Sequence, residues 1–294
     1  YIDLIFSGNP KQVLIERVAA TAESVAAALE RLKKKTWNWL AIPQADDKNA
    51  TVLKAAAIGT WIIEQRGTYK KTFKSVLPSA CAKSDPGIVW FDTTGIKIGS
   101  QTFTTAEFCA RIAGLLAGLP LTESAIYKPL KEVTGITEST SPDADINGGK
   151  FILIDDGEYI RVARGVTSYS GDNEEKKKIK IVEAMDIICD DIRNVFINDY
   201  MGSTNSYDNK MLFISAVNDY FKELAAQGVL DSDGENTADI DVEAQRAYLA
   251  EKSDVSDYTD EQIRRAKTGS NMFLTASVRF LDAAEDMHFS IIMD

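Results

Sequence analysis

A single histidine, His288, stands in a chain of 294 residues. A Ser-His-Asp or Cys-His centre would have to be built on that residue, in a strand-like segment at the end of the sequence, so it reads as an ordinary strand residue near a surface. A zinc site of the His/Cys kind lacks ligands. The three cysteines, Cys81, Cys109 and Cys189, form no CxxC pair and leave an odd one over. Each has apolar or helical neighbours, so buried free thiols in a reducing compartment are expected. No GxGxxG follows a strand, and Gly148-Gly149-Lys150 lacks the spacing and the Ser or Thr of a phosphate loop. Apolar runs of about 18 residues, long enough to cross a membrane, are missing. A basic surplus is missing as well, and the net charge of −11 argues against a dedicated nucleic-acid binder. The expectation is a chain with no catalytic residue, no cofactor and no metal, which meets neither membrane nor nucleic acid directly.

Acidic residues are abundant, but their spacing selects no chemistry. In Asp231-Ser232-Asp233-Gly234-Glu235-Asn236 the glycine falls fourth, not sixth as a calcium loop of the EF-hand kind requires, so a solvated loop is expected. Adjacent pairs such as Asp155-Asp156 and Asp190-Asp191 do not converge on one site. A carboxylate-dependent hydrolase is carried only as a distant alternative.

What is present is an ordinary globular composition, 45% hydrophobic and 26% charged, enough for two domains or one large composite one. The chain opens on Tyr1 rather than Met, inside a strand-like segment, and is expected to be a fragment. Tyr1–Phe6 alternates, and with Gln12–Val18 beyond Gly8-Asn9-Pro10 it predicts a hairpin. Thr21 precedes a helix, closed by the basic run Lys33–Lys35. Strands are predicted at Trp37–Ile42, Thr72–Leu77 and Ile88–Phe91, with a helix from about Asn49 to Arg66. A tight hairpin is expected through Gly99-Ser100. Thr105 caps a helix over Ala106–Gly118, whose Ala113-Gly114 and Ala117-Gly118 pairs allow close packing against a neighbour. The polar stretch Glu138–Gly149 is the expected domain boundary.

Lys150–Tyr200 organises the second half. Phe151–Ile154 and Tyr159–Val162 form a hairpin about Asp155-Asp156-Gly157. Val182, Met185, Cys189, Ile192 and Phe196 recur at helical period, with Ile181, Ile188 and Val195 beside them. A second helix places Leu212, Val217, Phe221 and Leu224 on one face and stops at Gly228. Thr259 and Gln262 make a capping box. Met272–Phe280 alternates as a strand, and Met287–Met293 reads as a last one, either inside a sheet or pairing with the open edge of another subunit. Lys176, Lys177, Lys178 and Lys180 concentrate positive charge on an acidic chain, either as a solvated helix start or as a contact surface.

Several strings resemble the sheath protein of contractile phage tails, in the form found in Gram-positive myophages, defective prophages and phage-tail-like bacteriocins. In the second half these are GKFILIDDGEYIRVARGVTS, KKKIKIVEAMDIICDDIRNVFINDYMG, NSYDNKMLFISAVNDYFKELAAQGVL and SVRFLDAAEDMHFSIIMD. The first half, from YIDLIFSGN through WNWLAIP to FTTAEFCARIAGLLAGLPL, resembles the family's central domain. The resemblance implies an α/β fold, α+β overall. Residues 1–147 would form a central sheet-and-helix domain, subtilisin-like without catalytic residues, and 148–294 a sheath C-terminal domain.

It further implies a structural subunit that polymerises as stacked hexameric rings around a tail tube and contracts to drive the tube through a cell envelope. The implied partners are copies of itself, the tail tube protein, and baseplate and tail terminator proteins. The implied location is a virion tail or tail-like particle assembled in the host bacterial cytoplasm. Met287, His288, Phe289, Ser290, Ile291, Ile292 and Met293 correspond to the family's C-terminal arm. Met272, Leu274, Ala276, Val278 and Phe280 correspond to the sheet edge that receives such an arm, and the N-terminal arm has no counterpart. Lys176, Lys177, Lys178 and Lys180 become the candidate contact with the tube or an adjacent subunit. A sheath-like component of a type VI or related injection system is the nearer alternative.

Overall fold

The structure, a computed structural model, describes residues 1–19, 21–45 and 54–292. It is a mixed α/β chain with parallel and antiparallel sheets. Packing of the Cα trace divides it into two compact units, Tyr1–Glu183 with Ala283–Asp294, and Ala184–Asp282. The boundary expected at residue 147 lies inside the first unit.

The first unit opens on a correction. Residues Ile2–Phe6 form a short helix, α1, and the described residues from Gln12 to Val18 carry no strand, so the expected hairpin is absent. Tertiary packing overrides the two-residue alternation: α1 lies against the glycine-bearing helix Thr105–Gly118. Next come α2 (Ala22–Leu32), capped by the Thr21 side chain accepting from the Ser24 N–H, β1 (Trp39–Leu40) and α3 (Ala55–Gly67). The expected start of α3 near Asn49 lies outside the described residues. Then follow β2 (Lys74–Pro78), β3 (Ile88–Phe91), β4 (Thr94–Ile98) and β5 (Gln101–Phe103), the last two joined through Gly99 at φ +57°.

Helix α4 (Thr105–Gly118) starts one residue before its expected bound, with Thr104 and Glu107 making a full capping box. After β6 (Gly135–Thr137) and α5 (Pro142–Asn147), the chain enters β7 (Lys150–Phe151), β8 (Leu153–Asp155) and β9 (Ile160–Val162). The predicted hairpin is β8–β9, turning at Gly157 with φ +87°. Phe151 belongs instead to β7, the last strand of a four-stranded parallel sheet in the order β1-β2-β3-β7.

That sheet is covered on both faces, which is why its strands read as unbroken apolar runs. Val76, Val89 and Phe91 pack with Phe108, Ile112 and Phe151 on the α4 side. Leu77, Ile88 and Trp90 pack with Ile58 and Ile62 of α3 on the other. Neighbours along one strand thus serve opposite layers, as strand geometry requires. Phe108 is fully buried, and truncating such a ring to alanine costs about 3–5 kcal/mol.

Helix α6 (Ile179–Val195) carries the chain into the second unit and ends in a π-turn over Phe196–Tyr200. Ile181, Val182 and Ile188 are buried as expected, with Ala184 beside them, whereas Met185, Ile192 and Phe196 are half-buried and Cys189 and Val195 are exposed. The buried face is centred on Ile181, Ala184 and Ile188, which leaves Cys189 one residue, about 100°, off it. Cys189 is therefore exposed, correcting the expectation of three buried thiols, while Cys81 and Cys109 are buried.

Helix α7 (Tyr207–Ala226) buries Lys210, Phe213, Ile214, Val217, Phe221 and Leu224, an i, i+3, i+4 stripe that excludes the exposed Leu212. The acidic stretch after it hides a strand, β10 (Thr237–Ile240), and a helix, α8 (Val242–Ala250), neither expected. Helix α9 (Asp260–Arg265) carries the predicted capping box, and β11 (Leu274–Ser277) pairs antiparallel with β10.

Candidate assembly surfaces

The β10–β11 ribbon has two edges, and they differ. On β10, the Ala238 N–H donates to Asn218 Oδ1 at 2.6 Å, and Asn218 Nδ2 donates to the Ala238 carbonyl at 3.2 Å. Helix α7 therefore closes that edge with a side-chain amide. Because both backbone groups of Ala238 point away from β11, Ala238 and Ala276 form a non-hydrogen-bonded pair of the ladder. The backbone groups of Ala276 then point to the opposite side, where no strand pairs with β11 among the described residues.

The same holds further along. The Asp231 N–H donates to the Arg279 carbonyl at 2.8 Å and the Leu281 N–H to the Val229 carbonyl at 3.0 Å, flanking the Leu230–Phe280 bridge. Phe280 thus turns its own N–H and C=O outward, as Ala276 and Leu274 do. Met272 and Val278 fall on the same side by the two-residue alternation. This row contains the five residues named from the sequence as a receiving edge, although the regular strand is shorter than expected. The β10 side is also braced at Asp239, held below the usual carboxylate range by the Arg264 guanidinium, whose two amino groups reach it at 2.6 and 2.5 Å.

The C-terminal tail is the second surface. Residues 287–292 have no sheet partner among the described residues, and Met293 lies outside them. The expected last strand is therefore not formed within the described chain: its apolar side chains find no ladder there. Met287, Phe289, Ile291 and Ile292 are 75–88% exposed, and His288 is exposed beside them. Immediately before them, Glu285 and Asp286 are held by Arg164.

The lysines do not form one open face. Lys177 pairs with Glu174 at 2.6 Å, and Lys176 lies over the Tyr169 ring at 5.9 Å. Lys178 is half-buried, and Lys180 is buried at 9% exposure. The Asp231 loop is closed by its own hydrogen bonds, from the Asp233 N–H at 3.0 Å and from Asn236 Nδ2 to the Asp231 carbonyl at 2.7 Å. Among the described residues no group of His, Cys, Asp and Glu is arranged to hold a metal. Burial pushes the Cys109 thiol up, away from the reactive thiolate. Sequence reasoning missed Asn218, β10 and Arg164. An asparagine on a helix carries no sign that its amide will cap a strand.

Comparison with known proteins bears on these surfaces. A family model described as "Phage tail sheath C-terminal domain" matches residues 171–293. The tail sheath protein of Clostridium phage phiCD119 is 35% identical over 293 residues, 97% of this chain and 80% of the phage protein. Among solved structures, the contracted helical sheath of the anti-feeding prophage superposes with TM-score 0.69 at 15% identity, over 99% of this chain and 80% of that one. The sheath tail protein of Desulfitobacterium hafniense gives 0.65 at 18% identity over 79% of this chain, which spans 59% of its length.

Proposed function

The chain belongs to the phage tail sheath protein family, and we propose that it polymerises with copies of itself into a contractile sheath around a tail tube. Members of this family are structural proteins, so the hydrolase alternative is set aside. The proposal rests on two separate observations, an edge of β11 with no strand partner among the described residues and an exposed apolar tail at 287–292. Addition of one chain's tail to the next chain's edge supplies main-chain hydrogen bonds for affinity and alternating side chains for register. Such a link tolerates rigid-body rotation of the units it joins, which contraction between two packings of one sequence requires.

In this reading the subunits form stacked hexameric rings, with tail tube, baseplate and tail terminator proteins as partners, in a phage or phage-like tail assembled in the bacterial cytoplasm. Three of the four parallel strands, with their flanking helices, fall in the family's central domain, of subtilisin-like fold without its catalytic residues, over about residues 1–147, and β7 completes the sheet from just beyond it. The sheath C-terminal domain follows to residue 294. Lys176, Lys177 and Lys178, all half-buried, are the members of the lysine cluster suited to touch the tube or an adjacent subunit, since Lys180 is buried. Modest polar contacts of this kind hold and then release.

Negative-stain microscopy of the purified protein tests the reading. Striated tubes that shorten and widen support it. Isolated globules from a protein that also fails to assemble on its cognate tube overturn it.

A further inference from the structure

The first unit contains a polar cavity of about 500 Å³ lined by Arg164, Thr167, Tyr169, Lys177, Lys178 and Glu285, among others. Its basic side receives the two acids that precede the tail. Arg164 Nη1 donates to Glu285 Oε2 at 3.1 Å, and Nη2 donates to the Asp286 carboxylate. The other Glu285 oxygen, Oε1, accepts from Ser124 Oγ at 3.0 Å. Each oxygen of Glu285 thus has its own donor, and one guanidinium spans two consecutive carboxylates.

The receiving side is rigidly placed. The Ala163 N–H donates to the Ile152 carbonyl at 3.0 Å, and the Ile179 N–H to the Gly165 carbonyl at 3.0 Å, pinning the backbone on both sides of Arg164. Ser124 is 9% exposed and Glu285 only 13% at its side chain. An isolated surface ion pair contributes little, but a doubly bonded, mostly covered carboxylate is a different case.

We propose that Arg164 and Ser124 form a clasp that holds the root of the C-terminal tail through Glu285 and Asp286. The clasp fixes where the tail leaves the first unit and how far it reaches toward a neighbouring copy of this chain. With the clasp closed, residues 287–292 extend to about 21 Å at most. Opening it adds residues 284–286, about 10 Å of slack, and dilutes the tail over a larger volume at the neighbour's edge. A tail held at its root also loses less freedom on docking. The inference rests on the proposed role of the tail in joining subunits.

The test compares three proteins with the wild type: a truncation after Asp286, Arg164→Ala, and the double variant Glu285→Gln with Asp286→Asn, which keeps the side-chain shapes. Hydrogen exchange at 283–286 and the protein concentration at which polymer first sediments are the readouts. The expected result is no polymer from the truncation. Both clasp variants should show faster exchange at the root and an onset of polymerisation raised about threefold, with the combined triple variant no worse than either because they remove one shared interaction. Wild-type assembly by the truncation sinks the tail reading itself. Failure of the truncation with wild-type onset in both clasp variants overturns the clasp alone.

Discussion

The amide of Asn218 satisfies both backbone groups of Ala238, at 2.6 and 3.2 Å, and so closes the β10 edge of the ribbon, while no strand pairs with the outer edge of β11 among the described residues. A two-stranded ribbon is marginal alone, and an edge is a template for pairing. Closing one side by a side chain gives the ribbon one direction of growth. Asn218→Ala strands two buried backbone groups, which costs about 1–3 kcal/mol. A lower urea midpoint with unchanged slope is the expected measurement.

Ala276 offers a cleaner separation of fold from assembly. Its N–H points away from β10, so Ala276→Pro removes an outward donor without breaking the ladder, as proline is tolerated on edge strands. The variant should fold with near wild-type thermal stability and fail to form tubes. Tubes formed at the wild-type concentration would mean that this edge receives nothing.

Gly114 and Gly118 let α4 and the α1 region approach backbone to backbone. A Cβ on Gly114 would overlap the Ile5 carbonyl, and one on Gly118 the Gly8 carbonyl. Because the obstacles are backbone, the neighbour must move. Gly114→Ala should therefore destabilise the protein by about 1–3 kcal/mol despite its higher helix propensity, with a fall in melting temperature as the readout.

Lys210 is 2% exposed, with Gln245 Oε1 at 3.2 Å and Thr268 Oγ1 at 3.1 Å. Burial holds its pKa below the ordinary lysine value of 10.5. The unfolded chain therefore binds more protons between the lowered value and 10.5, and stability rises with pH across that window. Below the lowered value the full penalty of a buried charge remains. Lys210→Met keeps the volume and removes the titration, so its stability relative to wild type should be greatest near neutral pH and shrink toward pH 10.5. Denaturant midpoints across that range check the sign.

Much of the fold was legible because local chemistry and burial agree. Ile88–Phe91 forms β3 as expected, and Thr259 with Gln262 caps α9 as expected. The hairpins at Gly99 and Gly157 sit where those residues take positive φ. Legibility failed where a partner decides. Tyr1–Phe6 alternates like a strand but has α4 to lean on, and becomes a helix. Leu212 is hydrophobic yet faces solvent, whereas Lys210 occupies the buried face of α7. The acidic stretch conceals β10, whose strand character comes from its pairing with β11 and its cap at Asn218.

The amino-acid sequence alone determined the sheath kinship, three of the four parallel-sheet strands, the turns at Gly99 and Gly157 and the cap of α9, since each rests on residues close together or on long strings of them. Only the tertiary structure decided which edge of the ribbon lacks a partner among the described residues, how the tail is rooted and where the buried face of each helix ends. Those depend on backbone groups and side chains distant in sequence, such as Asn218 with Ala238 and Arg164 with Glu285, and periodicity carries no information about such partners.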